Sequence, residues 1–254
     1  MNGLGNVNIE LTTRCNKNCW MCGRRKRHTI ENDIDFELLE HIAEQLPPNI
    51  TVQLHNNGEG LLYKRFGDAI KLFDKQITNI VTNGKLLLEK YDDILNLDTL
   101  SISIFENDSE ADEQYKIIEE FLSIKDDRKP LVVLRINGRV DESKYRKLNC
   151  IMARRVLHDP EGSFNYRKEP TVPEAGICLD LLHHLSISGD GLVSACVRYD
   201  PERTGVIGDI RKESLSDIWN GSKRMEMIHN HKHGNRNKHT LCSTCDFWGV
   251  PTSE

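Results

Sequence analysis

The chain has 254 residues, of which 38% are apolar and 29% charged, and a net charge of −5. That balance describes an ordinary globular protein and excludes nucleic acid as the main partner, since phosphate binding needs clustered Lys and Arg and the one basic run, residues 23–28, is short. No apolar run reaches the length of a membrane span and no signal-peptide core is present, so the chain reads as cytoplasmic.

The first 157 residues alternate strand-like and helix-like patterns. Residues 7–11 read as a strand leading into a loop with three cysteines. Residues 36–46 carry helical spacing at Phe36, Leu39, Ile42, Ala43 and Leu46, stopped by Pro47-Pro48. Residues 50–54 form a second expected strand, ending in His55-Asn56-Asn57-Gly58-Glu59-Gly60. Further strands are expected at 77–81, 100–105, 131–136 and 151–157, with helices at 66–73, 86–95 and 111–122 and a short one at 142–148. Six alternations imply parallel strands with right-handed crossovers, and a working face at the C-terminal strand ends. From about residue 159 Pro and Gly mark a connecting segment. Two short alternating runs then flank Gly189-Asp190-Gly191 as a hairpin, a helix begins near Leu215, and a polar loop runs to Cys242.

In a reducing compartment eight cysteines point to metal more than to disulfides. Cys15, Cys19 and Cys22 lie in one loop, spaced C-x3-C-x2-C. Three thiolates can hold three corners of an iron–sulfur cube and leave the fourth iron open for chemistry. Cys178, Cys196, Cys242 and Cys245 form a second set, which by spacing suits either a tetrahedral zinc or a fully ligated iron–sulfur cluster. Cys150 is left over, before the sixth strand and so toward the end opposite the working face, where a buried structural thiol is expected.

With the loop motif, Gly58-Glu59, Thr82-Asn83-Gly84, Ser216-Asp217-Ile218-Trp219 and the Cys242/Cys245 knuckle, the chain resembles the radical S-adenosylmethionine (SAM) enzymes that carry a twitch domain, a shortened SPASM domain. The fold class expected from this resemblance is α/β. It comprises a partial (β/α)6 TIM-like barrel over residues 1–158 and a small β-hairpin/helix iron–sulfur domain over residues 159–254. The resemblance implies SAM on the open iron of one [4Fe-4S] cluster, and it favours a second, auxiliary [4Fe-4S] cluster over zinc. One auxiliary cluster is expected because no cysteine follows Cys245.

The resemblance also assigns residues. Asn57, Gly58 and Glu59 stand where the family contacts the SAM ammonium, Ser103 where it reaches the ribose, and Met21 where an aromatic residue lies near the adenine. Arg135 interrupts an apolar strand and needs an anion, for which the SAM carboxylate is a candidate. Arg167, in Asn165-Tyr166-Arg167, and His55 are the candidate substrate-activating residues. The implied chemistry is hydrogen-atom abstraction from a small polar substrate, a sugar, aminocyclitol or conjugate. Two-electron oxidation of an alcohol to a ketone follows, with the auxiliary cluster as electron acceptor and a flavodoxin or ferredoxin-type protein as reductant. Epimerisation and peptide modification are the competing outcomes. The first needs a cysteine hydrogen donor, and the second usually brings an N-terminal recognition domain, for which a strand starting near residue 6 leaves no room. A non-catalytic iron–sulfur or zinc binding protein is the reading from another class.

Overall fold

The computed structural model describes residues 1–22, 24, 31–126, 129–155, 176–198, 200–243 and 245. Its chain order is β1 (Asn6–Ile9), α1 (Phe36–Gln45), β2 (Thr51–Gln53), α2 (Phe66–Lys71), β3 (Ile77–Thr82), α3 (Tyr91–Ile94), β4 (Thr99–Phe105), α4 (Ala111–Ile124), β5 (Leu131–Asn137) and β6 (Ile151–Arg155). There follow α5 (Leu179–His183), β7 (His184–Ile187), β8 (Leu192–Ser194), β9 (Val206–Asp209), α6 (Leu215–Asn220), α7 (Ser222–Lys232) and α8 (Thr240–Ser243).

The strands join into one sheet of order β6-β5-β4-β3-β2-β1-β7-β8-β9. The first six are parallel and sequential, the expected (β/α)6 array. It stays open: the free side of β1 pairs with β7, in parallel register from Asn6–His184 to Ile9–Ile187, and not with β6. The hairpin expected around Gly189-Asp190-Gly191 is β7–β8, and β9 extends it. The C-terminal segment is therefore stitched onto the barrel sheet through the same strand that feeds the cysteine loop. The proposed division at 158/159 falls outside the described residues.

Successive side chains on a strand point to opposite faces. One face of this sheet carries Val7, Ile9, Val52, Leu54, Ile80, Leu100, Ile102, Leu134 and Ile136, packed beneath Leu39, Ile42, Ala69, Ile118 and Phe121 of the crossover helices. The other carries Asn8, Glu10, Asn79, Ser101, Ser103, Ser186 and Ser188, all buried. A parallel sheet covered on both faces is normally apolar on both. Here the inner face is a polar lumen, cross-linked by Asn8 Nδ2 to the His55 carbonyl (3.0 Å), Asn56 Nδ2 to Ser186 Oγ (3.0 Å) and the 2.6 Å contact of His184 Nε2 with Asn8 Oδ1.

Several expected elements shorten. The helix at 86–95 is regular only over Tyr91–Ile94, and that at 142–148 is a single 3-10 turn, Tyr145–Lys147. Three helices escape sequence periodicity, α5, α7 and α8. The buried residues of α7 are Arg224, Met227, Asn230 and His231, a face without the apolar stripe that normally reveals a helix. Arg224 does what an apolar residue would not. Its guanidinium stacks on Trp219, 3.3 Å from the ring centroid, and donates to the carbonyls of Trp219 (3.0 Å), Leu181 (2.9 Å) and Leu182 (3.2 Å). It thereby satisfies carbonyls at the C-terminal ends of α5 and α6 together. Among the described residues no helix is long and apolar enough to cross a membrane.

Arg224→Ala leaves three carbonyls without their donor, so the thermal midpoint should fall by the equivalent of about 3 kcal/mol. Arg224→Lys should recover part of this, because an ammonium donates but does not stack as a plane. Thermal denaturation of the metal-free chain measures both; an unchanged midpoint for Arg224→Ala would refute the role.

Candidate active site

The cysteine loop leaves β1 through a tied neck. Thr12 bridges to Asp33 in antiparallel fashion, and the Arg14 guanidinium grips the Asp33 carboxylate at 3.0 and 2.6 Å while donating to the Leu62 carbonyl at 3.0 Å. The far side of the loop is clamped onto the turn between β4 and α4. Lys17, between the first two cysteines, lies 2.5 Å from Asp108 and 3.4 Å from Glu110, with its side chain only 5% exposed. Trp20 donates its indole N–H to the Glu106 carbonyl at 3.0 Å. A cleft of about 390 Å³ runs between the two loops, with Lys17, Cys19 and Met21 on one wall and Phe105 and Asp108 on the other. Met21 is 8% exposed, which fits the apolar contact expected of it. Sequence reading passed over Lys17; its signal was a lone cation between two cysteines.

The turn after β2 packs directly on this neck. A Cβ on Gly58 would lie 1.9 Å from the Thr12 carbonyl oxygen and 2.9 Å from that of Arg14, so only glycine permits the approach. The Glu59 amide donates to the Arg14 carbonyl at 2.8 Å, and the Asn57 amide to Glu10 Oε1 at 3.1 Å. The Glu59 carboxylate, 3% exposed, accepts from Thr82 Oγ1 (2.8 Å), the Asn83 amide (2.8 Å) and the Leu61 amide (3.2 Å). Burial raises its pKa, and the three donors offset this only in part. Asn83 Nδ2 donates in turn to Asn16 Oδ1 at 2.8 Å, with Cys15 Sγ at 3.9 Å. Glu59 was expected to face a ligand ammonium; here its oxygens bind the β3 turn and hold it against the cysteine loop.

In the lumen, Ser103 and Arg135 are register partners on β4 and β5. His55 accepts the Val81 amide at Nδ1 (3.1 Å), which leaves its proton on Nε2. Burial, then the nearby charges of Arg135 and His184, push its pKa down to about 3, so it is a neutral donor and a poor base. Glu10, 6% exposed at the end of β1, is a lumen carboxylate that sequence reading missed; its pKa is raised by burial. An acidic residue inside the alternation of residues 6–10 was the available sign. Arg167 lies outside the described residues.

Within each cysteine set the thiols are near enough to act on one another. Burial raises the Cys15 thiol and pushes Cys19 up to about 12, and the three loop sulfurs act on one another. In the second set burial raises Cys178 and Cys196 and takes Cys242 to about 11, with Cys178 and Cys245 adding repulsion at both Cys196 and Cys242. Converging buried thiolates are unfavourable unless a cation compensates them, so the donor sets suit metal-bound sulfur. Arg198 donates to the Leu241 carbonyl and Arg236 to that of Cys242, which fixes the knuckle backbone and adds positive charge beside it. Among the described residues no three His, Cys, Asp or Glu side chains are placed to chelate a single ion. Cys150 is half-buried against the core before β6, far along the chain from either set.

Residues 178–246 match the SPASM iron–sulfur cluster-binding domain. The S-adenosyl-L-methionine-dependent 2-deoxy-scyllo-inosamine dehydrogenase of Niallia circulans is 25% identical over 98% of this chain and 95% of its own. Among solved structures, BtrN in complex with AdoMet and 2-DOIA has a TM-score of 0.70 at 20% identity, covering 99% of this chain and 96% of that one. Streptococcus suis SuiB bound to S-adenosylmethionine has a TM-score of 0.62 at 14% identity, over 96% of this chain and 72% of its own.

Gly58→Ala should displace the neck of the cysteine loop while leaving the second set alone. The iron bound on reconstitution is then expected to fall, and full iron in the variant would contradict the packing argument. The resemblance that the motifs suggested is borne out: over nearly its full length this chain is similar to a SAM-dependent dehydrogenase, on a radical SAM fold, with a SPASM iron–sulfur domain at its C-terminal end.

Proposed function

We propose that this chain is a radical SAM dehydrogenase that oxidises an alcohol of a small polar substrate, of the aminocyclitol or sugar class, to a ketone. The observation that carries the reading is the clamped loop that presents Cys15, Cys19 and Cys22 at the C-terminal end of a polar-lined lumen. The printed activity of the Niallia circulans relative supports the substrate class.

Cys15, Cys19 and Cys22 would hold the SAM-binding [4Fe-4S] cluster, and Cys178, Cys196, Cys242 and Cys245 an auxiliary one. With SAM bound and one electron from a flavodoxin or ferredoxin-type reductant, the group would supply hydrogen-atom abstraction from a substrate carbon. The protein's part is position and exclusion of water. Met21 would give the adenine an apolar contact, Ser103 and Arg135 would bind the ribose and carboxylate, and the Asn57-Gly58-Glu59 turn would hold the ammonium. Glu59 acts mainly by holding the Asn83 turn in place. His55 offers the lumen a neutral N–H, and Glu10 a carboxylate able to accept from a substrate hydroxyl or ammonium. Arg167 remains the candidate for activating the hydroxyl. The auxiliary cluster would take the second electron, and the hydroxyl proton would pass to a base, which completes the two-electron oxidation.

Epimerisation needs a hydrogen donor across the substrate, and Cys150 lies at the start of β6, away from the strand ends where the loop sits. That placement favours oxidation. Anaerobic reconstitution with iron and sulfide, then reductant and SAM, should release 5′-deoxyadenosine, and Cys22→Ala should abolish it. No release from the intact protein would refute the enzyme reading. Cys150→Ala should leave turnover of a 2-deoxy-scyllo-inosamine-like substrate within about twofold; loss of turnover would point to epimerisation instead.

A further inference from the structure

Helix α7 brings one histidine to the second cysteine set. His231 is 2% exposed, and its Nδ1 accepts the Cys178 amide at 3.4 Å. That contact puts the ring proton on Nε2, and Nε2 is buried with no protein partner among the described residues. Buried polar groups are nearly always paired, so an orphaned donor marks a missing acceptor. The ring touches the backbone of Cys178, one of four cysteines whose thiols act on one another, and the nearby charges that act on the ring are His239 and Arg236. Both are donors or cations in that setting. The acceptor that would complete the arrangement is therefore sulfur.

We propose that His231 is a positioning residue of the auxiliary cluster: Nδ1 holds the Cys178 amide away from the cluster, and Nε2–H donates to a cluster sulfide or a cysteine thiolate. A hydrogen bond to sulfur stabilises the reduced cluster more than the oxidised one, because the reduced form carries one more negative charge. His231 thus raises the reduction potential and makes the cluster a better electron acceptor. The inference rests on reading the four-cysteine set as an iron–sulfur cluster.

The test uses the full chain with Cys15, Cys19 and Cys22 replaced by Ala, so that only the auxiliary site loads. In protein labelled with ¹⁵N at histidine, pulsed electron paramagnetic resonance of the reduced cluster should detect a coupled imidazole nitrogen that His231→Gln removes. His231→Phe should lower the reduction equilibrium constant about tenfold, a potential roughly 59 mV more negative for one electron. His231→Gln, which can both accept from the amide and donate to sulfur, should recover most of that shift. Absence of imidazole coupling in the labelled protein overturns the role, even if His231→Phe fails to hold iron. So does an unchanged potential in an iron-replete His231→Phe variant. Zinc in place of the irons would overturn the cluster reading itself, whereas a full cluster with an unchanged potential would remove only the role of His231.

Discussion

The place of the cysteine loop depends on one close approach, that of Gly58 to the Thr12 carbonyl. The loop has little regular structure of its own, so its geometry comes from what it leans on. At its base the β2 turn lies against it without an intervening side chain, and the Glu59 amide closes on the Arg14 carbonyl. Glu59 then carries the constraint sideways to Thr82 and Asn83, and Asn83 returns it to Asn16. Three strand ends thereby behave as one rigid rim. The buried Lys17–Asp108 pair holds the opposite side of the loop to β4. Such a pair contributes less to net stability than to a unique arrangement, since its attraction is set against the loss of hydration.

The rim matters because the sheet beneath it has two chemically distinct faces. Its outer face is packed against helices in the usual apolar way, while its inner face carries Asn8, Glu10, Asn79 and the serines. A lumen of this kind is unsuited to an apolar ligand. It offers many neutral donors and acceptors, a neutral His55 and a carboxylate whose pKa is raised by burial, which fits a polyhydroxylated substrate held by many directional contacts.

The C-terminal segment obeys a different logic. Beside its own buried apolar residues its helices are mostly short, and polar side chains do much of the joining. Arg224 ties α5 and α6 through their carbonyls, Arg198 and Arg236 hold the knuckle backbone, and His231 receives the Cys178 amide. Pairing of β7 with β1 places this segment beside the cysteine loop's own strand, so the two sulfur sets share a scaffold.

The six-fold alternation, the hairpin and both cysteine sets were legible in the sequence, because each follows from local spacing: periods of 2 and 3.6, a Gly-Asp-Gly turn, and ligand intervals in a loop. Helix α7 was not, since its buried face is polar and periodicity is read from apolar residues. Gly58 and Glu59 were recognisable as a motif, but their contacts are with Thr12, Arg14, Thr82 and Asn83, residues distant in sequence. Lys17 and Glu10 carried only weak local signs, and His231 none, as a buried charge and an exposed one look alike until a partner is placed beside them. The sequence by itself determined the two cysteine sets and, through the motifs that carry the resemblance, the expected class of cofactor. Only the tertiary structure decided which polar groups face the lumen, which lock the loops, and which stand beside the sulfur sites, because those roles depend on burial and on contacts between remote segments.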